Sequence, residues 1–499
     1  MDFQFNKTVI PYLQTLNRQT QNQEQTQELR LTDGMPDIGK VLASWGQILI
    51  RGKEWRNGSA GVSGGVMVWV LYTPEEGGEP QCVEAWLPFQ CKWDLPDTQR
   101  DGSIVVVPML RSVDARSLSA RKLMVRSNIA LLGQAMVSGD AEVYSPGELP
   151  EDVKVLKKTY PMLLPVEAGE KAFELEETMS PSGNMPEVSR LMRYTVFPNV
   201  TDCKIVADKL VMRGIAALKL LYCGVDGLLH NCDFEIPFSQ FTQLDSEYGS
   251  NTQVQIHMAV TALELELKED KSFAVKAGLT AQYILMDRPV VEIVEDAYST
   301  NRQLVPQITQ LQLPAILDTH RQMLKVEKTT DGNLVRVVDA TFYPDPPQMS
   351  RENDNAYTNL TGTLQALGYD AEGELNSLIS KWEEDWSIGV NEDAAVSVIP
   401  QRPSNVQAYS NGNTITMTTD MPIEAQVVGD EGIPMITGLE LGDVIQLDPN
   451  RPSLILRRVG SDDLWGIAKK TGSTVEAIQS ANKLTQEPEE NRILLIPIS

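Results

Sequence analysis

Hydrophobic and polar residues alternate with a period of two along much of this chain. Val254, Ile256 and Met258, for example, alternate with polar or small residues. Because successive side chains of a strand point to opposite faces of a sheet, this pattern predicts strands with one buried face. Asn411-Gly412, between two such runs, is typical of a hairpin turn, since both residues accept a positive φ. The alternation predicts a mainly β chain.

The predicted strands recur with a repeat of about 150 residues. Strands that begin with glycine end at Tyr72, Tyr222 and Tyr369, which lie 150 and 147 residues apart. Met-Pro-acid segments precede the first two of these strands, at Met35 and Met185. We therefore predict a multi-domain chain with three repeated β-sandwich or barrel-like units, of which the third has diverged furthest.

The repeat divides the chain into consecutive segments. We predict a Gln-rich lead-in at residues 1–24 and three repeated units at residues 25–144, 174–298 and 315–447. Linkers at residues 145–173 and 299–314 separate the units, and a small terminal module occupies residues 453–498. Four prolines stiffen the first linker. Gln14–Gln27 is predicted to be a solvated helix or disordered, and Asp318–Lys325 to be a helix or part of a linker.

The last stretch of the chain has the pattern strand, helix, helix, strand. Leu454–Val459 is a short apolar run, and Asp463 can cap a helix that Gly472 ends. Thr474 begins a second helix, Asn482 ends it, and an apolar strand follows. The pattern predicts a small α+β module with the element order βααβ.

This module resembles LysM, a small glycan-binding domain. The matching residues are Leu464-Trp465, Ile467-Ala468, Asn482, Leu484 and Leu495-Ile496-Pro497. The family has Gly-Asp-Thr before its first helix, where this chain has Ser461-Asp462-Asp463. In the family, the loop before the first helix and the loop after the second form the ligand groove. The resemblance therefore implies a partner- or glycan-binding site at Ser461, Asp462, Asp463, Trp465, Asn482, Lys483 and Leu484.

Trp465 is the most informative side chain of this predicted site. It lies one residue off the apolar stripe of its helix, so one interpretation places it half-exposed at a contact surface. The alternative interpretation is that its ring packs over the small core, against Ile493 or Leu495.

The repeats carry a second resemblance. Met35-Pro36-Asp37-Ile38, the glycine-to-tyrosine strands, the Pro-Phe strand ends and Glu295-Asp296-Ala297-Tyr298-Ser299 are similar to the SPOCS domain. Tandem SPOCS units followed by one LysM resemble the SipL family of spore-forming bacteria. This resemblance implies a non-catalytic scaffold or adaptor that assembles the spore coat, in the mother-cell cytoplasm at the forespore surface.

The SipL resemblance also implies a partner. In that family the LysM looks like a docking module for the morphogenetic ATPase of the coat. The alternative function is binding of peptidoglycan or cortex glycan through the LysM.

Composition narrows the remaining classes of function. A net charge of −25 disfavours binding to nucleic acid or to anionic membranes, because both are themselves negatively charged. No apolar run reaches the roughly 18–20 residues that cross a bilayer, so we expect no integral membrane segment. The N-terminus lacks the pattern of a secretory signal, which predicts a cytoplasmic protein. Five cysteines without a CxxC pair predict reduced thiols, buried in strands.

Candidate catalytic groups are few. His230 and Cys232 lie two residues apart on one predicted strand, where their side chains share a face as a cysteine nucleophile and its base would. The alternative is a polar histidine beside a buried cysteine. His257 is expected to be solvated, on the polar face of its strand. No metal-ligand spacing or nucleotide-binding motif is present, so we predict a non-enzymatic protein without metal or cofactor.

Overall fold

The computed structural model is built mainly from antiparallel strands, which confirms the predicted mainly β, multi-domain fold class. It describes the whole chain except residues 1, 2, 4, 97–99, 182, 184, 314, 353, 354, 390–394, 402, 430, 431, 447–451 and 499.

The first unit is a pair of antiparallel sheets. Its strands are β1 (Phe5–Arg30), β2 (Ile38–Arg56), β3 (Ser59–Pro74), β4 (Gln81–Asp94), β5 (Gly102–Ser119) and β6 (Lys122–Pro146). They form sheets of order β2-β3-β4 and β1-β6-β5. Val66, Val68, Ile129 and Leu131 are fully buried in one apolar cluster that joins the two sheets.

The second unit repeats this arrangement. Its strands are β7 (Val153–Pro161), β8 (Leu164–Met179), β9 (Val188–Val206), β10 (Lys209–Gly224), β11 (Leu229–Gln243), β12 (Gln253–Leu267), β13 (Phe273–Asp287) and β14 (Val290–Ser299). The sheets β9-β10-β11 and β8-β13-β12 correspond in order to the two sheets of the first unit.

The third unit has the same plan with additional short strands. Its strands are β15 (Arg302–Leu311), β16 (Ala315–Asp331), β17 (Arg336–Pro344), β18 (Gln348–Glu352), β19 (Asn355–Tyr369), β20 (Leu375–Gly389), β21 (Ala395–Pro400), β22 (Ser404–Asn411), β23 (Thr414–Gly429) and β24 (Ile433–Val444). β19 pairs with β17, β18 and β20, while β23 pairs with β16, β21 and β22. Gly412 has a φ of 64° in the β22–β23 turn, as the Asn-Gly pattern predicts.

A tyrosine at the end of the middle strand shows how the units correspond. The Tyr72 hydroxyl donates to the Pro36 carbonyl at 3.0 Å, and the Tyr222 hydroxyl donates to the Pro186 carbonyl at 3.1 Å. In the third unit, Tyr369 instead accepts the backbone N–H of Leu229 at 2.8 Å. The tyrosine at this position thus holds a loop of its own unit in the first two units, and in the third it bonds to the neighbouring second unit.

The first and last strands of each unit also continue together as a two-stranded ribbon. Ribbon 1 runs from the pair Phe5–Pro146 to the pair Leu13–Ser138, ribbon 2 is β7 with β14, and ribbon 3 is β15 with β24. The ribbons pack on one another through shared apolar clusters, to which Val143, Ile293 and Met435 contribute. Each unit therefore packs against its neighbours through its own first and last strands.

The prediction for Gln14–Gln27 is wrong, because this segment lies within strand β1 and pairs with β6. Asn17, Gln21 and Gln23 donate their side-chain amides to backbone carbonyls of the edge strand β4, at 3.0, 2.8 and 2.9 Å. These three side-chain amides thus bond to carbonyl groups that an edge strand would otherwise leave unpaired.

The predicted linkers are also wrong. β7 and the start of β8 occupy the first, and β15 occupies most of the second. Asp318–Lys325, predicted as a helix or linker, lies in β16. These segments are the opening strands of the second and third units.

A buried charge pair lies where the three units meet. Arg193 of β9 donates to both carboxylate oxygens of Asp339 on β17, at 2.7 and 2.8 Å. Its guanidinium lies 4.8 Å from the ring centroid of Trp45 on β2. Both charged side chains are less than a tenth exposed. The geometry of the pair fixes the positions of the three units at this point.

Replacing Arg193 with alanine should lower the stability of the whole assembly by about 3–5 kcal/mol, because it leaves the Asp339 carboxylate buried without a partner. Arg193→Met combined with Asp339→Leu should cost much less, since both charges are then removed. Thermal unfolding of the full chain measures both effects. Arg56→Ala, which breaks a largely exposed pair with Glu54, is the control and should leave the midpoint unchanged. Equal midpoints for Arg193→Ala and the control would contradict the role of the pair.

Candidate functional site

The C-terminal module has the predicted element order βααβ. Its elements are β25 (Leu454–Arg458), α1 (Leu464–Thr471), α2 (Val475–Asn482) and β26 (Ile493–Pro497), and the two strands are antiparallel. Helices of this length are marginal in isolation, so tertiary packing must hold them. Ile467, Ala468, Ile478 and Ile496 provide that packing as a fully buried core.

The loop before α1 is held by its own charges. The Asp463 carboxylate caps the helix by accepting the Gly466 N–H at 2.8 Å. Asp462 accepts from Arg457 at 2.7 Å and from Lys470 at 2.6 Å, and chiefly the Lys470 hydrogen bond lowers the pKa of Asp462. Ser461 is exposed beside them. Two of the three predicted loop residues therefore stabilise the fold.

A carboxylate from the second loop also closes the start of α1. The Glu487 carboxylate accepts the Leu464 N–H at 3.1 Å. Together with Asp463, it satisfies amides that a helix N-terminus otherwise leaves open.

The predicted residues after α2 have mainly structural roles as well. Asn482 accepts the Leu495 N–H at 2.8 Å and donates to the Leu495 carbonyl at 2.6 Å, so it joins α2 to β26. Lys483 is the C-cap of α2 with a φ of 52°, and its side chain is exposed. Leu484 packs against the module core.

Trp465 is half-buried, packs against the module core and makes a contact with the second unit. Its indole N–H donates to the Asp296 carboxylate of ribbon 2 at 2.8 Å, and its ring meets the Tyr298 ring edge-on at 4.8 Å between centroids. Lys469, one turn along α1, donates to both Asp296 oxygens at 2.7 and 2.8 Å. The α1 face of the module is therefore docked on the second unit.

Tyr298 completes this docking contact. It is only 5% exposed and belongs to the core cluster of the module. Burial, helped by the charges of Glu476 and Asp296, raises the pKa of Tyr298 to about 12. The hydroxyl thus stays protonated and donates to the Ser473 carbonyl at 2.9 Å. Sequence reasoning missed Asp296 and Tyr298 as contacts, although it singled out the segment that contains them.

An apolar patch lies on the opposite, outer face of the two-stranded sheet. Leu454, Leu456, Ile493 and Leu495 are 49%, 68%, 58% and 36% exposed. Leu456 and Leu495 are directly paired across the strands, so their side chains lie on the same face. We call these four residues the sheet face. The sequence pattern marked both strands as apolar but did not indicate which side is left uncovered.

The other candidate groups lie apart from the module. His230 bonds to Asp226 at 3.0 Å, and burial raises the pKa of the Cys232 thiol, which disfavours a thiolate. His257 was expected to be solvated, but it is half-buried, and burial with a smaller effect of Arg18 lowers its pKa to about 4.

The cysteines are free thiols, of which Cys91, Cys223 and Cys232 are buried, while Cys82 and Cys203 are half-buried. Within the described residues, no group of histidines, cysteines and carboxylates is arranged to hold a metal ion. Nor does any helix in that part of the chain have the length and apolar character needed to cross a membrane.

Asn482→Ala should destabilise the module by about 2 kcal/mol, because two backbone hydrogen-bonding groups of Leu495 lose their partner. Amide hydrogen exchange at β26 should then accelerate, while exchange in the β1–β6 sheet stays unchanged. Thr485→Ala, at an exposed position of the same loop, is the control. Unchanged exchange at β26 in Asn482→Ala would show that Asn482 does not hold the strand.

One comparison with known proteins identifies part of the chain. Residues 187–268 match the family described as SipL, SPOCS domain. The matched segment covers β9–β12 in the second unit. No curated protein and no solved structure is detectably similar to the chain. The chain is therefore SipL-like, carries a SPOCS domain in its second unit, and is related to sporulation and the spore coat.

Proposed function

We propose that this protein is a non-catalytic adaptor in spore coat assembly, whose C-terminal module is a LysM domain that docks to the morphogenetic ATPase of the coat. The SPOCS match in the second unit supports the link to the coat. The first and third units, which share its strand order, are proposed to be SPOCS domains as well. The adaptor would act in the mother-cell cytoplasm at the forespore surface.

The sheet face is the observation that carries the docking proposal. Single exposed apolar residues are common, but Leu454, Leu456, Ile493 and Leu495 form one patch on a pair of five-residue strands. The α1 face is occupied by ribbon 2, so the sheet face is the apolar part of the module that remains open to a partner.

Charge favours the module over the rest of the chain as the docking point. The chain carries a net charge of −25, whereas basic and acidic residues balance within the module. An acidic protein partner would therefore meet the least repulsion at the module.

The groove loops favour a protein partner over a glycan. The Asp463 and Glu487 carboxylates already accept the first amides of α1, and Asp462 is paired with Arg457 and Lys470. Polar groups that would hydrogen-bond to sugar hydroxyls are thus engaged within the module. A glycan that bound to these loops would have to share the carboxylates with the groups that they already hold.

Leu456→Glu and Leu495→Glu in the full-length chain should each weaken ATPase binding by at least about tenfold, because a charge would be desolvated in an apolar contact. Pull-down of the purified ATPase by the immobilised chain measures this. Val206→Glu, at a 60% exposed apolar position of the second unit, is the matched control and should bind as the wild type does.

Failure of the wild-type chain to retain the ATPase would overturn the docking proposal. Sedimentation of the chain with purified peptidoglycan, abolished by substitutions in the groove loops, would favour the glycan function instead. Release of sugar or peptide from the same wall preparation would contradict a non-catalytic role.

A further inference from the structure

The contact between α1 and ribbon 2 has the features of a recognition site. A single carboxylate, that of Asp296, receives the Trp465 indole N–H and the Lys469 ammonium group, at distances of 2.7–2.8 Å. The Tyr298 ring packs edge-on against the Trp465 ring, and its hydroxyl donates to the Ser473 carbonyl. The Asp296 carboxylate and the Tyr298 hydroxyl thus both have hydrogen-bond partners in the module.

The spacing of the two recognised side chains follows from strand geometry. Asp296 and Tyr298 are two residues apart on β14, so both point to the face that meets the module. The α1 face therefore contacts an acidic and an aromatic side chain that are separated by one residue on an extended segment. Side-chain pockets that select alternate residues of a strand are a common way to recognise peptides.

Ribbon 1 provides an internal comparison. Glu142 and Tyr144 have the same spacing, and Lys7 lies opposite Tyr144 as Lys154 lies opposite Tyr298. Glu142, however, is paired with Lys7 at 2.5 Å and accepts the Tyr144 hydroxyl at 2.7 Å. Its carboxylate is already occupied, whereas the carboxylate of Asp296 is paired with Lys469 of the module. The module thus lies on the ribbon whose acid is paired with a lysine of the module and not with a lysine of the ribbon itself.

We infer that the α1 face of the C-terminal module is a binding site for extended protein segments of the type acid–any residue–aromatic, and that Asp296–Tyr298 of ribbon 2 is its resident intramolecular ligand. This inference goes beyond the adaptor proposal, since it concerns a different surface of the module. A partner segment with the same chemistry would bind there by displacing ribbon 2.

The resident ligand sets the conditions for such a partner. A tethered segment acts at an effective concentration of roughly millimolar. An external segment of similar affinity is therefore excluded while ribbon 2 is bound, and the site opens only when that contact is weakened. Lys469 is exposed, so its ion pair with Asp296 is weakened by salt.

The test uses the full-length chain and a fluorescein-labelled peptide with the sequence of residues 292–300, EIVEDAYST. In the double variant Asp296→Ala/Tyr298→Ser, the resident ligand is removed and the site is free. Fluorescence anisotropy should then show binding at least about tenfold tighter than to the wild type, whose site is occupied.

Matched controls separate recognition from general loosening. Glu142→Ala/Tyr144→Ser makes the same changes on ribbon 1 and should leave peptide binding as weak as in the wild type. Adding Trp465→Ala to the Asp296→Ala/Tyr298→Ser variant should abolish binding, as should replacing the aspartate of the peptide with asparagine.

Two results would overturn the inference. In the first, the Asp296→Ala/Tyr298→Ser variant binds the peptide no more tightly than the wild type does, with the peptide at millimolar concentration. Amide exchange must show that the module of this variant is folded. The other is equal binding of the aspartate and asparagine peptides. Neither result bears on the sheet face, so ATPase retention by the same variants distinguishes a failure here from a failure of the adaptor proposal.

Discussion

Pairing between the first and last strand of each unit is the constraint on which the rest of this structure depends. β1 pairs with β6 over their whole length, and the opening and closing strands of the second and third units do the same through β7–β14 and β15–β24. These pairings close each unit and project the ribbons that pack together. They also create the strand end at Asp296 and Tyr298 on which the C-terminal module docks.

Side-chain hydrogen bonds between units give this assembly its register. Gln282 of the second unit bonds to both the N–H and the carbonyl of Val106 in the first, at 2.9 and 2.8 Å. Gln47 accepts the Val196 N–H across the same boundary. Buried polar groups are costly unless paired, so a shift of one unit against another would leave several of them unsatisfied. Together with Arg193 and Asp339, they favour one arrangement of the three units.

Local sequence pattern was enough to predict the strands from alternation, the repeat from recurring motifs, and the module from its helix-capping residues. It failed for Gln14–Gln27 because most of this segment is polar, and the strand is held by pairing with β6 and by amide side chains that bond to β4. It could not locate Trp465 either, because the partner of its indole lies 169 residues away in sequence. Two residues of the predicted site, Asp463 and Asn482, hold the module together. The exposed sheet face, in contrast, was not predicted as a site.

The central claim is that this chain acts at the forespore surface through its C-terminal module, and localisation during sporulation tests it most directly. The full-length chain with a fluorescent tag should form a shell around the forespore on its mother-cell side. The same chain without residues 452–499 should remain diffuse in the mother cell, because the three β units alone lack the proposed docking surface. A shell formed equally well without the module, or a full-length chain that stays diffuse throughout sporulation, would contradict the account.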